Sequence, residues 1–415
     1  MEKIILPNGA RILYERTDFL KSATFGVWVG TGSRHETRAL SGASHFIEHM
    51  LFKGTEKHDC ASLSEALDLL GGHSNAYTTK EITSFYVRAL EDRMQDAVNL
   101  VTEMIFSSRF DPADLENERG VIEEEIGMYG DDPEDLATER LSEIVYPSSS
   151  LGRPILGTVR SLEKLDREAL LSYMRAHYTG ENLVAALSGN FDPKVVDALA
   201  QKLSAMPKGK KNRTKEAKYV PGVFLKKKKY EQNHVGLLWK GFGQEDPRRF
   251  AAALLSAILG GGASSRLFRR VRDEEGLCYA IYSFSGSTEK EGLFGVYTAT
   301  SRENERKTLE STVQEIVKIR EEGVSLEELD RAKEKNRTGL LLSMESTGSR
   351  ASYMARNELK KGEVPSFEEL LAAYDRVTPE EIRETAREIL KPDMLSYAAV
   401  GRIGEKDYYE ELLRK

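Results

Sequence analysis

The sequence predicts an α+β protein of two related domains, each a mostly antiparallel sheet packed with helices. Three observations lead there. The chain has 415 residues, more than one ordinary core accommodates. Short matches recur at one spacing: W-x-G-x-G at Trp28–Gly32 and Trp239–Gly243, 211 residues apart, and L-x-x-A-x-x-G at Leu183–Gly189 and Leu395–Gly401, 212 apart. A repeat at half the chain length marks two domains built on one plan. Strand and helix patterns are mixed, with hairpin signals, rather than alternating as in a doubly wound parallel sheet.

The elements follow in order. Residues 3–6 and 11–14 around Pro7-Asn8-Gly9 read as a hairpin with an Asn-Gly turn. Helical periodicity covers 41–53, 63–70, 94–106 and 112–129 in the first half. In the second half it covers 247–259, 305–321 and 326–344. Residues 207–218 are Lys, Gly, Asn and Thr with few apolar side chains, which reads as a linker. The expected division is a first domain at 1–206, a linker at 207–222 and a related domain at 223–415.

Composition narrows the function. With 40% hydrophobic and 31% charged residues the chain reads as soluble and globular. A net charge of −7 gives no reason to expect nucleic acid. No apolar run approaches membrane-spanning length. A strand beginning at residue 3 leaves no room for a targeting segment, and two cysteines make no disulfide framework, so a reducing cytoplasmic location is expected. The lysines at 226–229 are expected to blunt a strand end. Gly260-Gly261-Gly262 is no phosphate loop, because no Gly-Lys-Ser/Thr follows.

The chemistry sits in His45-Phe46-Ile47-Glu48-His49. On a helix His45 and His49, four apart, point the same way, and Glu48 shares their face. Ala43, Phe46, Ile47, Met50 and Leu51 fall on the opposite, apolar side. Two imidazoles so placed suit zinc, and the adjacent carboxylate can deprotonate a water the metal activates. A third ligand is needed. Asp111-Pro112 opens a helix whose Leu115, Ile122, Ile126 and Tyr129 form a buried stripe. An acidic run is ordinarily a solvated face, and Glu124 fits that description. Glu118 and Glu125, seven apart at the edge of the stripe, do not, since an inward carboxylate needs a metal or a cation. Shifted by 211, His45, Glu48 and His49 fall on Ser256, Leu259 and Gly260, so the second half is expected to lack a metal site.

These residues resemble the pitrilysin family of inverted zincins, whose motif H-F-x-E-H-M-x-F-K-G-T corresponds to His45–Thr55. The likeness spans the whole chain and is similar to the two-domain type of the mitochondrial processing peptidase β-subunit, which implies that fold. By this resemblance the ligands of one Zn2+ per chain are His45, His49 and Glu125. Glu48 is the catalytic base and Glu118 a supporting acid. Gly71–Thr78 resembles the family strand on which Asn75 and Ala76 hold a peptide as an added strand. Arg272 and Tyr279 resemble the pair that meets the substrate carbonyl. The implied activity is a zinc endopeptidase acting on peptides or unfolded segments, as a homodimer or with a metal-free sister chain. The alternative is a non-catalytic peptide-binding or scaffold subunit of the same family.

Overall fold

The computed structural model describes residues 1–414. It is an α+β fold with two sheets, and the chain divides into two compact units. The first unit holds Met1–Ile126, Arg153–Thr214 and Leu340–Pro365. The second holds Gly127–Gly152, Lys215–Gly339 and the residues from Ser366.

The first unit contains β1 (Glu2–Ile5), β2 (Arg11–Arg16), β3 (Ser22–Val29), β4 (His73–Thr78), β5 (Thr83–Leu90) and β6 (Leu183–Gly189), ordered β1-β2-β6-β3-β5-β4. The second contains β7 (Val223–Lys227), β8 (Gln232–Phe242), β9 (Cys278–Ser287), β10 (Glu291–Ser301) and β11 (Ser396–Gly401), ordered β7-β11-β8-β10-β9. Apart from β1 the two orders coincide. In each, one parallel pair (β2 with β6, β7 with β11) joins an otherwise antiparallel sheet. Trp28 on β3 and Trp239 on β8 occupy matching strands, as their common motif requires.

Alternation along the strands decides what covers each face. In the first unit Ile12, Phe25, Val27, Ala185 and Leu187 enter a core with Phe46, Ile47, Val98 and Leu199. Their neighbours Leu13, Trp28, Val184 and Ala186 face the other way, against Ala351, Met354, Ala355 and Leu359. Those last four lie on helix Thr347–Lys361, contributed by the second half of the sequence. Thr24 and Thr347 share a hydroxyl hydrogen bond of 2.8 Å, and Lys360 lies 3.6 Å from the buried Glu81. The second unit receives the reciprocal segment: Leu136, Ala137, Leu141 and Val145 of helix Pro133–Val145 pack with Leu238, Ala398 and Val400. Both sheets are therefore covered on both faces, which accounts for apolar runs such as Leu183–Leu187. The units thus differ from the continuous spans 1–206 and 223–415: each half of the sequence lends one helix to the other unit, because each sheet needs cover on its second face.

The opening hairpin is looser than a two-residue turn. Leu6 N–H donates to the Ala10 carbonyl at 2.8 Å, and the Asn8 side chain donates to the carbonyls of Leu203 and Met206. Lys226 and Lys227 lie exposed on β7, an edge strand. Among the described residues no helix is long and apolar enough to cross a membrane.

Candidate metal centre

Helix Ala43–Met50 is shorter than the periodic stretch 41–53, and its start is fixed chemically. Gly42 has φ +97°, and a Cβ there would meet the Leu156 carbonyl oxygen at 2.7 Å, so the entry turn needs glycine. The Glu36 carboxyl oxygens accept the N–H groups of Gly42 and Ser44, each at 2.8 Å, capping the positive helix end. Burial pushes Glu36 up to about 7 despite those two amides. The Tyr173 hydroxyl, 3.0 Å from both Ser44 Oγ and Thr31 Oγ1, braces the same end. Phe46, Ile47 and Met50 are fully buried, which turns His45, Glu48 and His49 to the opposite side.

Helix Pro112–Asp131 brings the carboxylates. Asp111 caps it through the Ala113 N–H at 2.9 Å, and Leu115 and Ile122 anchor it in the core. Glu124 is exposed, Glu118 is buried and Glu125 is half-buried, as the helical period dictates. Tyr129 is 40% exposed rather than part of the stripe, because the helix leaves the first unit after Ile126.

His45, His49 and Glu125 each offer a ligand atom, all within 4.8 Å of one another. Glu125 Oε2 stands 3.6 Å from His45 Nε2 and 3.8 Å from His49 Nε2. These gaps exceed a hydrogen bond. A tetrahedral zinc with bonds of about 2.0–2.2 Å sets its ligand atoms roughly 3.4 Å apart, so this donor set fits that ion. His49 Nδ1–H donates to Glu118 Oε2 at 2.9 Å, so Nε2, on the Glu125 side of the ring, is the nitrogen placed to ligate. Glu118 is held in turn by Lys53 Nζ at 2.6 Å. Burial alone would raise Glu118, but the bonds from His49 and Lys53 outweigh it and keep the carboxyl below its usual range. Burial, with His49 beside it, depresses His45 to about 4, so its ring is neutral and able to ligate. Burial also raises Glu125 and Glu48, with His49 opposing the shift in both. Glu48 accepts a hydrogen bond from the Thr78 hydroxyl on β4.

The other site candidates are placed as follows. Asn75 and Ala76 lie on β4, the edge strand of the first sheet, with Asn75 Oδ1 accepting from Ala76 N–H at 2.8 Å. Arg272 and Tyr279 meet within the second unit. The guanidinium carbon is 5.7 Å from the Tyr279 ring centroid, and Tyr279 is 74% exposed. Among the described residues the second unit has no metal cluster. At Gly260, the position matching His49, a Cβ would meet Ser283 N at 2.3 Å, so no imidazole fits there. Sequence reasoning assigned no role to Lys53, Thr78 or Glu36. Lys53, one turn beyond His49, carried a readable signal; the other two contacts come from tertiary folding.

The comparisons agree with this architecture. The family model described as "Insulinase (Peptidase family M16)" matches residues 11–159, and "Peptidase M16 inactive domain" matches residues 164–336. A Bacillus subtilis relative called "Uncharacterized zinc protease YmxG" is 36% identical over 388 residues, 93% of this chain and 95% of that one. The crystal structure of a peptidase M16 inactive domain from Pseudomonas fluorescens has a TM-score of 0.90 at 20% identity, covering 97% of this chain and 98% of that one. The crystal structure of a protease from Helicobacter pylori has a TM-score of 0.89 at 18% identity, covering 96% and 99%. The duplicated sheet-and-helix plan is that of the M16 two-domain fold. The chain belongs to peptidase family M16, the pitrilysin family.

Proposed function

We propose that this chain is a zinc endopeptidase for peptides or unfolded polypeptide segments. The observation that carries the reading is the convergence of His45, His49 and Glu125 with a fourth group, Glu48, on the same helix face and outside the ligand set. In this reading the three residues hold one Zn2+, which supplies Lewis acidity toward water and a carbonyl. Glu48 takes the proton of the attacking water and delivers it to the leaving amine. Glu118 orients the His49 ring and fixes its tautomer. Asn75 and Ala76 on β4 align the peptide main chain as an added strand, and Arg272 with Tyr279 polarises the scissile carbonyl.

The protein is read as cytoplasmic and as working in a dimer, either with itself or with a metal-free sister chain. The test is Glu48→Gln. It should retain about one zinc per chain and lose peptide cleavage by at least about a hundredfold. Loss of the metal, or retained turnover, refutes the assignment.

A further inference from the structure

Thr78 is the last residue of β4, the strand on which the peptide is read to dock. Its hydroxyl donates to Oε2 of Glu48 on helix Ala43–Met50. Among the described residues no second hydrogen bond to the Glu48 carboxylate is seen. The terminal torsion of a glutamate is broad and nearly two-fold, so an unheld carboxylate swings. Fixing one oxygen fixes the direction of the other, and Oε1 is then left to accept. The contact also joins two elements that no backbone hydrogen bond connects: the strand carrying Asn75 and Ala76, and the helix carrying the base.

We propose that Thr78 is a positioning residue that aims Glu48 from the substrate-binding strand, so that the docked peptide and the base share one frame. This rests on the reading of Glu48 as the base. Two features separate the role from ordinary strand packing. Valine has nearly the shape of threonine and suits an edge strand equally well, but it has no hydroxyl. Serine keeps the hydroxyl and loses only a methyl.

The experiment compares Thr78→Val, Thr78→Ser, Glu48→Gln and the Thr78→Val/Glu48→Gln pair. Cleavage of an internally quenched peptide gives kcat and KM. Fluorescence anisotropy gives the affinity of the chelator-stripped protein for the same peptide, a readout independent of turnover. A hydrogen bond to a charged group supports a loss of roughly ten- to a hundredfold in kcat for Thr78→Val. Peptide affinity of the stripped protein should stay within about twofold, and Thr78→Ser should restore most of kcat. Added to Glu48→Gln, Thr78→Val should cost nothing more, since it acts through a group already removed. The proposal is overturned by parental kcat in Thr78→Val, by weaker peptide binding with kcat unchanged, or by losses that multiply in the pair. Turnover retained by Glu48→Gln defeats the base assignment itself. An inactive Glu48→Gln beside a fully active Thr78→Val defeats the Thr78 role alone.

Discussion

Removing the helix that the second half of the sequence lends to the first unit should unfold the candidate metal centre without touching it. Helix Thr347–Lys361 seals Leu13, Trp28 and Val184, each no more than 1% exposed. Full burial of a large apolar side chain contributes about 1.5–3 kcal/mol, so uncovering these three forfeits about 5–9 kcal/mol. A domain is commonly stable by roughly 5–15 kcal/mol, which puts the loss in the range of the total. A fragment of residues 1–214, keeping everything the first unit draws from the first half, should therefore lack a cooperative transition. In the full chain, Met354→Ala removes most of a side chain that is 3% exposed and should cost about 2–5 kcal/mol. The assay is urea unfolding followed by tryptophan fluorescence. The chain has two tryptophans, one per unit, so Trp239→Phe leaves Trp28 as sole reporter. A 1–214 fragment that unfolds cooperatively at the midpoint of the intact Trp28 transition, or a Met354→Ala variant whose Trp28 transition keeps the parental midpoint, refutes the reasoning.

Further tests address the site. Glu125→Gln should weaken zinc binding strongly while Glu124→Gln, exposed one residue earlier, is nearly silent; competition with a chromophoric chelator measures both, and equal effects refute the register. Lys53→Met removes the cation holding Glu118, so it should lower activity several-fold with zinc retained, measured by peptide cleavage and metal content. Arg272→Ala and Tyr279→Phe should each impair cleavage while zinc content and melting temperature stay parental, and unchanged kcat/KM removes them from the mechanism. His35 supplies a pH test, because burial, aided by His177 and Arg34, depresses its ring to about 4. Above about pH 6.5 both states hold it neutral; below, the unfolded chain takes a proton that the fold refuses until about pH 4, so stability falls across that window. Denaturation of the metal-free protein should show His35→Asn gaining on the parent between pH 6.5 and 4, and a constant difference contradicts this.

What the sequence revealed, and what it hid, follows from the range of the forces involved. The helix of His45 and His49 was legible because the two imidazoles are spaced by a local period, and the same period separates the clustered Glu125 from the exposed Glu124. The duplication was legible in two tryptophans and two glycines that mark equivalent strands. Segments 133–145 and 347–361 were not among the expected helices, and their exchange was not foreseen. Amphipathic patterning says that a face is buried, not which sheet buries it, and the two sheets here are near-copies. The opening hairpin formed around Asn8-Gly9 as read, but the Asn8 side chain's bonds to carbonyls 195 and 198 residues away were out of reach of a local pattern. Tyr129 fits the helical period, but the first core ends before it does.

The exchanged helices also set a timetable for the chain as it leaves the ribosome. Arg350 pairs with Glu15 across 335 residues, and Thr347 with Thr24 across 323. The first sheet can assemble early, yet one of its faces stays bare until residues 347–361 have been made. Domains ordinarily fold in the order of synthesis, and late long-range closure slows folding and leaves apolar surface exposed. Here the half that carries His45, His49 and Glu125 is synthesised first and completed last, so a chain interrupted before residue 347 holds all three candidate ligands and no finished first unit.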